Sequence, residues 1–185
     1  YEADDILATV ARETKELGGN CFLVTSDKDC RQLMNDRVKV YHIRKDQIYD
    51  ADSLLSDWGI RPEQVIDFQA LVGDSTDNVP GVPLIGPKIA GELLRKYGTL
   101  ERILEHADEV SGLKRRDNLR RFRDQALLSR TLAKLDDQVP INLDWRAGRI
   151  EGISREAAIT LCGEFGFRRL AERIAAFGEP KAIRS

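Results

Sequence analysis

The stretch that decides the fold covers residues 21–29 and reads Cys-Phe-Leu-Val-Thr-Ser-Asp-Lys-Asp. Its first four residues form a continuous apolar run, which is typical of a buried strand in a parallel sheet. Asp27 and Asp29 come next, and in open α/β sheets the functional sites gather outside the carboxyl ends of the strands. A helix N-cap at Asp27, with Asp29 in the first turn, explains the same two residues equally well. The stretch therefore predicts an α/β sheet and leaves the role of its carboxylates open.

The segments around this stretch predict a helix–strand–helix–strand series, which is the pattern of an α/β sheet. Apolar residues recur at helical spacing over residues 3–17, and segments 38–43 and 47–49 have the composition of strands that pair across a charged turn. Asp50 is a suitable N-cap for the helix that follows. Further helices are predicted over residues 61–71, 88–97, 99–106, 115–135, 155–165 and 168–177, and an extended segment is predicted over residues 139–145.

Composition limits the class of protein. The chain has 185 residues, of which 42% are hydrophobic and 32% charged, and this balance fits one domain or a compact domain with a small subdomain. No apolar run approaches the roughly 18–20 residues that a membrane span needs, so we expect no membrane association. Three cysteines without a paired spacing and only two histidines argue against a disulfide framework and against a zinc site. A reducing, cytoplasmic setting is the expectation.

Charge is distributed unevenly along the chain. Residues 1–80 hold 16 acidic and 9 basic residues, a net charge of −7, whereas residues 81–185 hold 15 and 20, a net charge of +5; the two parts give the total of −2. A metal-bearing site beside a phosphate-binding surface would produce such an asymmetry. Chance segregation of solvated charges explains it about equally well.

Seven carboxylates lie in three tight clusters, namely Glu2, Asp4 and Asp5, then Asp27 and Asp29, and then Asp74 and Asp77. Each cluster by itself has an ordinary explanation: an acidic first helical turn, a helix cap, or a turn in which an Asp side chain bonds to the backbone. One shared site for a hard divalent ion, such as Mg²⁺ or Mn²⁺, explains all three clusters together. This joint explanation is the prediction.

Residues 81–90 read Gly-Val-Pro-Leu-Ile-Gly-Pro-Lys-Ile-Ala and predict a helix-hairpin-helix turn. Pro87 suits the first position of a helix, so backbone N–H groups at the helix N-terminus would face an anion, with Lys88 beside them. Such a turn contacts the nucleic-acid backbone and not the bases. The alternative is a tight connection between two helices.

Residues 114–123 contain six basic residues, which predict either a second contact to a phosphate backbone or a solvated helix face. Together with the turn, the predicted DNA-binding residues are Gly81, Val82, Leu84, Ile85, Gly86, Lys88, Lys114, Arg115, Arg116 and Arg120.

Four motifs in this order carry a family resemblance. They are Tyr-Glu-Ala-Asp-Asp, Thr-Ser-Asp-Lys-Asp, Gly-Asp-Ser-Thr-Asp-Asn and Gly-Val-Pro-Leu-Ile-Gly-Pro-Lys. The chain resembles the 5′→3′ exonuclease domain of bacterial DNA polymerase I, in the flap endonuclease superfamily, up to about Phe177. The resemblance implies a parallel-sheet, PIN-like α/β nuclease core without its first strand over residues 1–80. It also implies a helical DNA-binding subdomain with the helix-hairpin-helix over residues 81–178, followed by a linker or tail over residues 179–185.

The resemblance also implies an activity, cofactors and partners. The activity is that of a structure-specific 5′ nuclease, which hydrolyses DNA phosphodiester bonds in replication and repair with two divalent ions, Mg²⁺ or Mn²⁺, at the seven acidic positions. A monovalent cation, K⁺, is implied at backbone carbonyls near Val82 and Ile85. The implied partner is DNA with a 5′ flap, a nick or a 5′ end; the protein is expected to be a monomer, and a polymerase region to follow in the parent chain.

The chain departs from the family pattern at its start. The family's first strand, two further Asp residues and the basic arch should lie upstream of Tyr1, so this chain is expected to be a fragment that is weak or inactive by itself. The main alternative is a noncatalytic duplex-DNA-binding module with an incomplete metal site. A PIN-type nuclease acting on RNA fits the carboxylates, but it explains the glycine-rich turn and the basic helices less naturally.

Overall fold

The computed structural model describes residues 1–149 and 154–176. The chain divides into two compact units, Tyr1–Ile141 and Asn142–Ser185. The predicted division at residue 80 is a different partition and stays a prediction, and the predicted tail over residues 179–185 lies outside the described residues. Each helix in the described part is too short or too polar to cross a lipid bilayer.

The first unit begins with helix α1 (Ala3–Glu16) and a sheet of the strands β1 (Cys21–Val24), β2 (Val38–His42) and β3 (Gln47–Tyr49). The strand order is β1-β2-β3, with β1 parallel to β2 and β3 antiparallel to it. The sheet is mixed because a four-residue turn returns β3 directly beside β2, whereas a parallel pair needs a longer crossover. The α/β class and the predicted pairing across a charged turn are confirmed.

Strand β1 is less buried than its apolar sequence predicts. Leu23 is 2% exposed, whereas Phe22 and Val24 are 54% and 58% exposed. Successive side chains of a strand point to opposite faces of the sheet. Within the described residues, the core covers the face that carries Leu23 and leaves the other face open to solvent.

Helices and short 3-10 turns complete the first unit. A 3-10 helix (Asp29–Leu33) follows β1, and a second one (Pro62–Gln64) precedes α3. The α-helices are α2 (Ala51–Trp58), α3 (Val65–Val72), α4 (Pro87–Tyr97), α5 (Leu100–Glu105), α6 (Leu113–Arg121) and α7 (Arg123–Ala133). The predicted cap of α2 is confirmed, since the Asp50 carboxylate accepts the Ser53 N–H at 3.1 Å.

One prediction for the second half of the chain was wrong. The predicted helix over residues 115–135 is two helices, because Phe122 leaves helical geometry at φ −101° and ψ 20°. The predicted extended segment over residues 139–145 forms no strand within the described residues, and its extended backbone stays a prediction; Ile141 N–H donates to the carbonyl of Val139 at 2.7 Å. The second unit contains α8 (Arg155–Glu164) and α9 (Arg168–Ala176), near the predicted bounds.

Helix α3 runs through the middle of the core. Val65, Ala70 and Leu71 are fully buried, and the buried carboxylate of Asp67 accepts the Leu100 N–H at 2.9 Å. Burial of apolar side chains supplies most of the stabilisation in a protein core. Packing around these buried residues therefore fixes the position of α3. Its C-terminal end at residue 72 therefore gives the following loop a rigid origin.

Candidate metal centre and backbone-binding surface

Three of the seven predicted carboxylates converge in the structure. Asp29, Asp74 and Asp77 each offer a carboxylate oxygen, and these atoms lie within 4.8 Å of one another. Asp29 follows β1, while the other two residues lie in the loop after α3. The fold thus brings Asp29 and Asp74, which are 45 positions apart in sequence, together at one end of the sheet. Functional sites of α/β folds commonly lie at such an end.

The loop that carries Asp74 and Asp77 is closed by its own hydrogen bonds. Asp74 N–H donates to the Val79 carbonyl and Val79 N–H donates to the Asp74 carbonyl, both at 2.8 Å. The Asp74 carboxylate also accepts the Thr76 N–H at 2.9 Å, and Asn78 takes a positive φ of 54°. The turn explanation and the metal explanation of this cluster are therefore compatible, because Oδ1 makes the turn and Oδ2 remains outside it.

Two glycines bring this loop against the next segment. A Cβ atom at Gly73 would lie 2.5 Å from the Gly81 nitrogen, and one at Gly81 would lie 2.4 Å from the Val72 carbonyl. The close approach allows Val82 N–H to donate to the Leu71 carbonyl at 2.8 Å. A side chain at either glycine would meet backbone, which cannot move aside, so the loop and the predicted hairpin turn are locked together.

Burial and mutual repulsion set the charge state of the cluster. The pKa of Asp29 is raised to about 6, first by burial and then by repulsion from Asp27. The pKa of Asp77 is also raised, by burial and by the neighbouring Asp74. Burial would raise the pKa of Asp74 as well, but the Lys28 ammonium, 2.6 Å away, and the Thr76 N–H hold it below its usual value.

The first acidic cluster is divided between two roles. Asp4 lies near the second cluster, since burial and repulsion from Asp27 raise its pKa. Asp5 instead accepts two backbone N–H groups, from Glu2 at 2.9 Å and from Asp136 at 2.8 Å, which lower its pKa. Glu2 is the N-cap residue of α1. The structure thus shows the helix-terminus role for Asp5, and the metal-binding role of Glu2, Asp4, Asp5 and Asp27 stays a prediction.

Sequence reasoning missed Gln69, which touches the cluster from α3. Its side chain is 4% exposed and its amide donates to the carboxylate of Asp29. Among the described residues, its carbonyl oxygen is buried without a hydrogen-bond donor. A polar residue within the largely apolar segment Val65–Val72, which also contains Asp67, was the available signal, because buried polar groups normally have partners.

The predicted hairpin turn has the expected backbone geometry. Pro83 and Leu84 occupy the corners of a turn that Ile85 N–H closes on the Val82 carbonyl at 3.0 Å. Leu84 has φ +69° and is 58% exposed, which is the left-handed position that glycine usually fills in a type II turn. Val82 and Ile85 are buried in the core. Their roles in binding DNA and a monovalent cation stay predictions.

Polar side chains of α6 and α7 hold the carbonyls of this turn. The Pro80 carbonyl accepts from the Ser129 hydroxyl, the Gly81 carbonyl from the Gln125 amide at 2.8 Å, and the Pro83 carbonyl from the Asn118 amide at 2.7 Å. The sequence offered no signal for these contacts, which join residues 35–49 positions apart. The turn and the two helices therefore form one rigid element.

The basic helix α6 lies beside the turn. Leu84 shares a shallow surface depression with Leu113, Lys114 and Arg115. Gly86 caps α4, with Pro87 in its first position, so Lys88 lies in the first helical turn as predicted. The two predicted DNA-binding elements are therefore adjacent on the surface of the first unit.

The three predicted DNA-binding arginines all have protein partners, and Arg115 donates to the Ser111 carbonyl at 3.3 Å. Arg116 donates to the Val110 carbonyl at 2.6 Å, and Arg120 pairs with Asp108 and, at 3.8 Å, with Asp117. The Arg120 pairs are solvent-exposed, and exposed pairs are weak enough to rearrange for another anion. Their role in binding DNA stays a prediction.

The fold and site define an α/β domain in which an acidic cluster lies next to a tight turn that leads into a helix. The chain belongs to the 5′–3′ exonuclease family. Residues 60–156 match the family model described as 5′–3′ exonuclease, C-terminal SAM fold, and residues 1–59 match the one described as its N-terminal resolvase-like domain. The family resemblance inferred from the sequence is confirmed.

Individual relatives agree with this assignment. DNA polymerase I of Rhizobium leguminosarum is 42% identical over 175 residues, which cover 95% of this chain and 17% of that protein. DNA polymerase I of Bacillus subtilis strain 168 is 39% identical over 178 residues, covering 94% and 20%. The chain therefore spans about a fifth of the length of these relatives.

Solved structures show the same fold. The structure of T5 5′-exonuclease with bound divalent zinc ions matches with a TM-score of 0.67 and 25% identity, covering 73% of this chain and 50% of that chain.

Proposed function

We propose that this chain is a structure-specific 5′ nuclease of the DNA polymerase I type, which hydrolyses phosphodiester bonds of DNA at a 5′ flap, a nick or a 5′ end. The observation that carries the proposal is the convergence of Asp29, Asp74 and Asp77 within 4.8 Å, in a chain that belongs to the 5′–3′ exonuclease family. The family relatives are DNA polymerases, and T5 5′-exonuclease binds divalent metal ions.

The donor set suits a hard divalent cation. Three carboxylates share one end of the sheet with a single ammonium, Lys28, so they hold more negative than positive charge. The raised pKa of Asp29 reflects that excess together with burial. The carbonyl oxygen of Gln69, which lacks a donor among the described residues, adds a neutral oxygen beside the site. Mg²⁺ and Mn²⁺ favour such oxygen ligands.

Each part of the chain has a role in the proposed reaction. Asp29, Asp74 and Asp77 would hold an ion, and the remaining acidic positions Glu2, Asp4, Asp5 and Asp27 complete the proposed two-ion set. When bound, divalent ions supply positive charge that stabilises the attacking and leaving oxygens of the phosphodiester. The hairpin turn and α6 would bind duplex phosphates through backbone N–H groups and basic side chains, and so fix which bond lies at the carboxylates.

Further parts of the proposal concern ions, partners and setting. We propose Mg²⁺ as the physiological divalent ion, and K⁺ at the carbonyls of Val82 and Ile85; the Val82 carbonyl accepts one hydrogen bond and has a second lone pair. We propose a monomer in the cytoplasm whose parent chain continues into a polymerase region. We also keep the division into a nuclease core over residues 1–80 and a helical subdomain over residues 81–178.

Cleavage and binding measured side by side test the proposed function. A fluorescent 5′-flap duplex is incubated with Mg²⁺ and the full-length parent chain, and the double variant Asp74→Ala with Asp77→Ala is compared in the same parent chain. We expect cleavage to fall by at least about a hundredfold, since even outer-shell partners of metal sites are worth 10–100-fold, while duplex binding persists. The exposed pair Asp52→Ala with Asp57→Ala in α2 is the matched control.

Three outcomes separate the hypotheses. Unchanged cleavage by the double variant would contradict the metal assignment. Binding of Mn²⁺ and duplex without any cleavage by the unmodified parent chain would favour a noncatalytic DNA-binding module. Equal cleavage of RNA and DNA flaps would favour the PIN-type alternative.

A further inference from the structure

Lys28 occupies the position where a cation is proposed to bind. Its ammonium nitrogen lies 2.6 Å from Oδ2 of Asp74, whose side chain is 3% exposed, whereas the Lys28 side chain is 44% exposed. Oδ1 of Asp74 accepts the Thr76 N–H at 2.9 Å, so the two oxygens of this carboxylate have different neighbours. Across the described residues, no other ion pair reaches the seven predicted carboxylates.

The contact joins two parts of the first unit. Lys28 follows β1, whereas Asp74 lies in the loop after α3. The ammonium brings one positive charge to a group of three carboxylates and leaves a formal charge of −2. A divalent ion that replaces Lys28 at this group brings twice the positive charge of the ammonium.

We propose that Lys28 is a tethered cation that holds Asp74 in the metal-free protein and competes with the divalent ion for this carboxylate. The inference rests on the proposed metal site and adds its regulation. Lys28 leaves when the ion enters, and its ammonium then becomes available on the surface beside the site. Lys28 is thus a positioning residue. Its ion pair keeps the loop of Asp74 next to the segment that follows β1 until a metal ion replaces the ammonium.

The expected size of the competition follows from the geometry. A Mg²⁺–oxygen distance of about 2.1 Å, added to the 2.6 Å from Lys28 to the same oxygen, places the two positive centres at most about 4.7 Å apart. Repulsion between a divalent and a monovalent charge at this distance corresponds to about tenfold in affinity even with strong solvent screening. Removing the ammonium should therefore tighten metal binding by about tenfold.

Calorimetric titration with Mn²⁺ alone, without DNA, tests the inference independently of activity. Lys28→Met retains the length of the side chain and removes its charge, and we expect its Kd for Mn²⁺ to be about tenfold lower than that of the unmodified chain. Lys28→Arg should bind near the original affinity. Lys39→Met is the matched control, since Lys39 pairs with Asp50 at 3.4 Å with a similar exposure of 40%; it should leave Mn²⁺ binding unchanged.

A second readout is stability without metal. Lys28→Met should lower the melting temperature in EDTA, because the buried carboxylate of Asp74 loses its ion-pair partner. Addition of Mn²⁺ should restore the melting temperature. If Lys28→Met does not fold, Lys28→Gln replaces it in both measurements.

The outcomes distinguish this inference from the proposed site. Mn²⁺ affinity of Lys28→Met equal to or weaker than that of the unmodified chain, with Asp74→Asn abolishing binding, would overturn the competition and leave the site intact. Mn²⁺ binding that Asp74→Asn does not weaken would overturn the site itself, and the competition with it.

Discussion

Replacing Asp29 by asparagine should stabilise the metal-free protein at neutral pH. Burial and the nearby Asp27 raise the pKa of Asp29 from 3.8 to about 6, so the fold disfavours its charged form. The stabilisation from the protonated carboxyl is fully present below about pH 3.8 and is lost as the pH rises through about 6. Asparagine has the same shape and can still accept the amide of Gln69.

The magnitude follows from the pKa difference. A raise of about two units at roughly 1.4 kcal/mol per unit gives an upper value of about 3 kcal/mol. Asp29 is partly exposed, and solvent screening reduces the interaction, so we expect about 1–2 kcal/mol. Between about pH 4 and pH 7, the unmodified chain should lose this much free energy of unfolding relative to Asp29→Asn.

Urea unfolding in EDTA at several pH values measures the difference. The free energy of unfolding is extrapolated to water for each protein, and equal slopes indicate the same unfolding transition. Asp57→Asn, at an exposed position of α2, is the control and should follow the pH curve of the unmodified chain. Mn²⁺ should reverse the order, because an ion that binds the folded state stabilises it and asparagine offers no charge to that ion.

Parallel pH curves for Asp29→Asn and the unmodified chain would refute the reasoning. They would mean that solvent or a rearranged side chain removes the free-energy cost of ionising Asp29 in the folded protein. The carboxylates would then not repel one another measurably. A variant that is less stable than the unmodified chain at neutral pH would refute it as well.

Two further predictions concern the hairpin turn and the basic helix. Gly81→Ala should lower the free energy of unfolding by about 2–4 kcal/mol, because its Cβ would lie 2.4 Å from a backbone carbonyl. Gly86→Ala is the control and should cost less than about 1 kcal/mol, because its Cβ meets nothing within 4 Å. Equal losses of the two variants in urea unfolding would contradict the close-approach argument. Lys114→Ala with Arg115→Ala should weaken duplex binding uniformly across sequences and reduce the slope of log affinity against log salt by about 2. The basic pair at residues 44–45, changed to alanine, is the control, and an unchanged slope in the first variant would argue against α6 as a phosphate-binding helix.

Interactions between residues close in sequence explain why several helices, caps and turns of this protein were predictable. The apolar spacing of α1 and the Asp50 cap of α2 depend on neighbours within a few residues, and both were predicted near their observed bounds. The hairpin turn was likewise predictable from the sequence, because Pro87 and the glycines have strong conformational preferences. The break at Phe122 was not, since neither glycine nor proline marks it.

Contacts through space explain what was missed. Gln69 and Lys28 reach the cluster because the 3-10 helix after β1 packs against α3, and the sequence contains no local mark of that proximity. The exposure of Phe22 likewise depends on which face of the sheet the other elements cover. Sequence reasoning could name polar and apolar residues but not their partners.

The chain's order of residues was sufficient for the α/β class, for three acidic clusters and for the 5′–3′ exonuclease family, because helix periodicity, strand composition and motif order are properties of the chain itself. The tertiary structure decided which carboxylates meet. It brings Asp29 to Asp74 and Asp77, assigns Asp5 to two backbone donors, and sets Lys28 against a buried oxygen. These outcomes depend on packing between residues far apart in sequence, where distance, burial and charge act together.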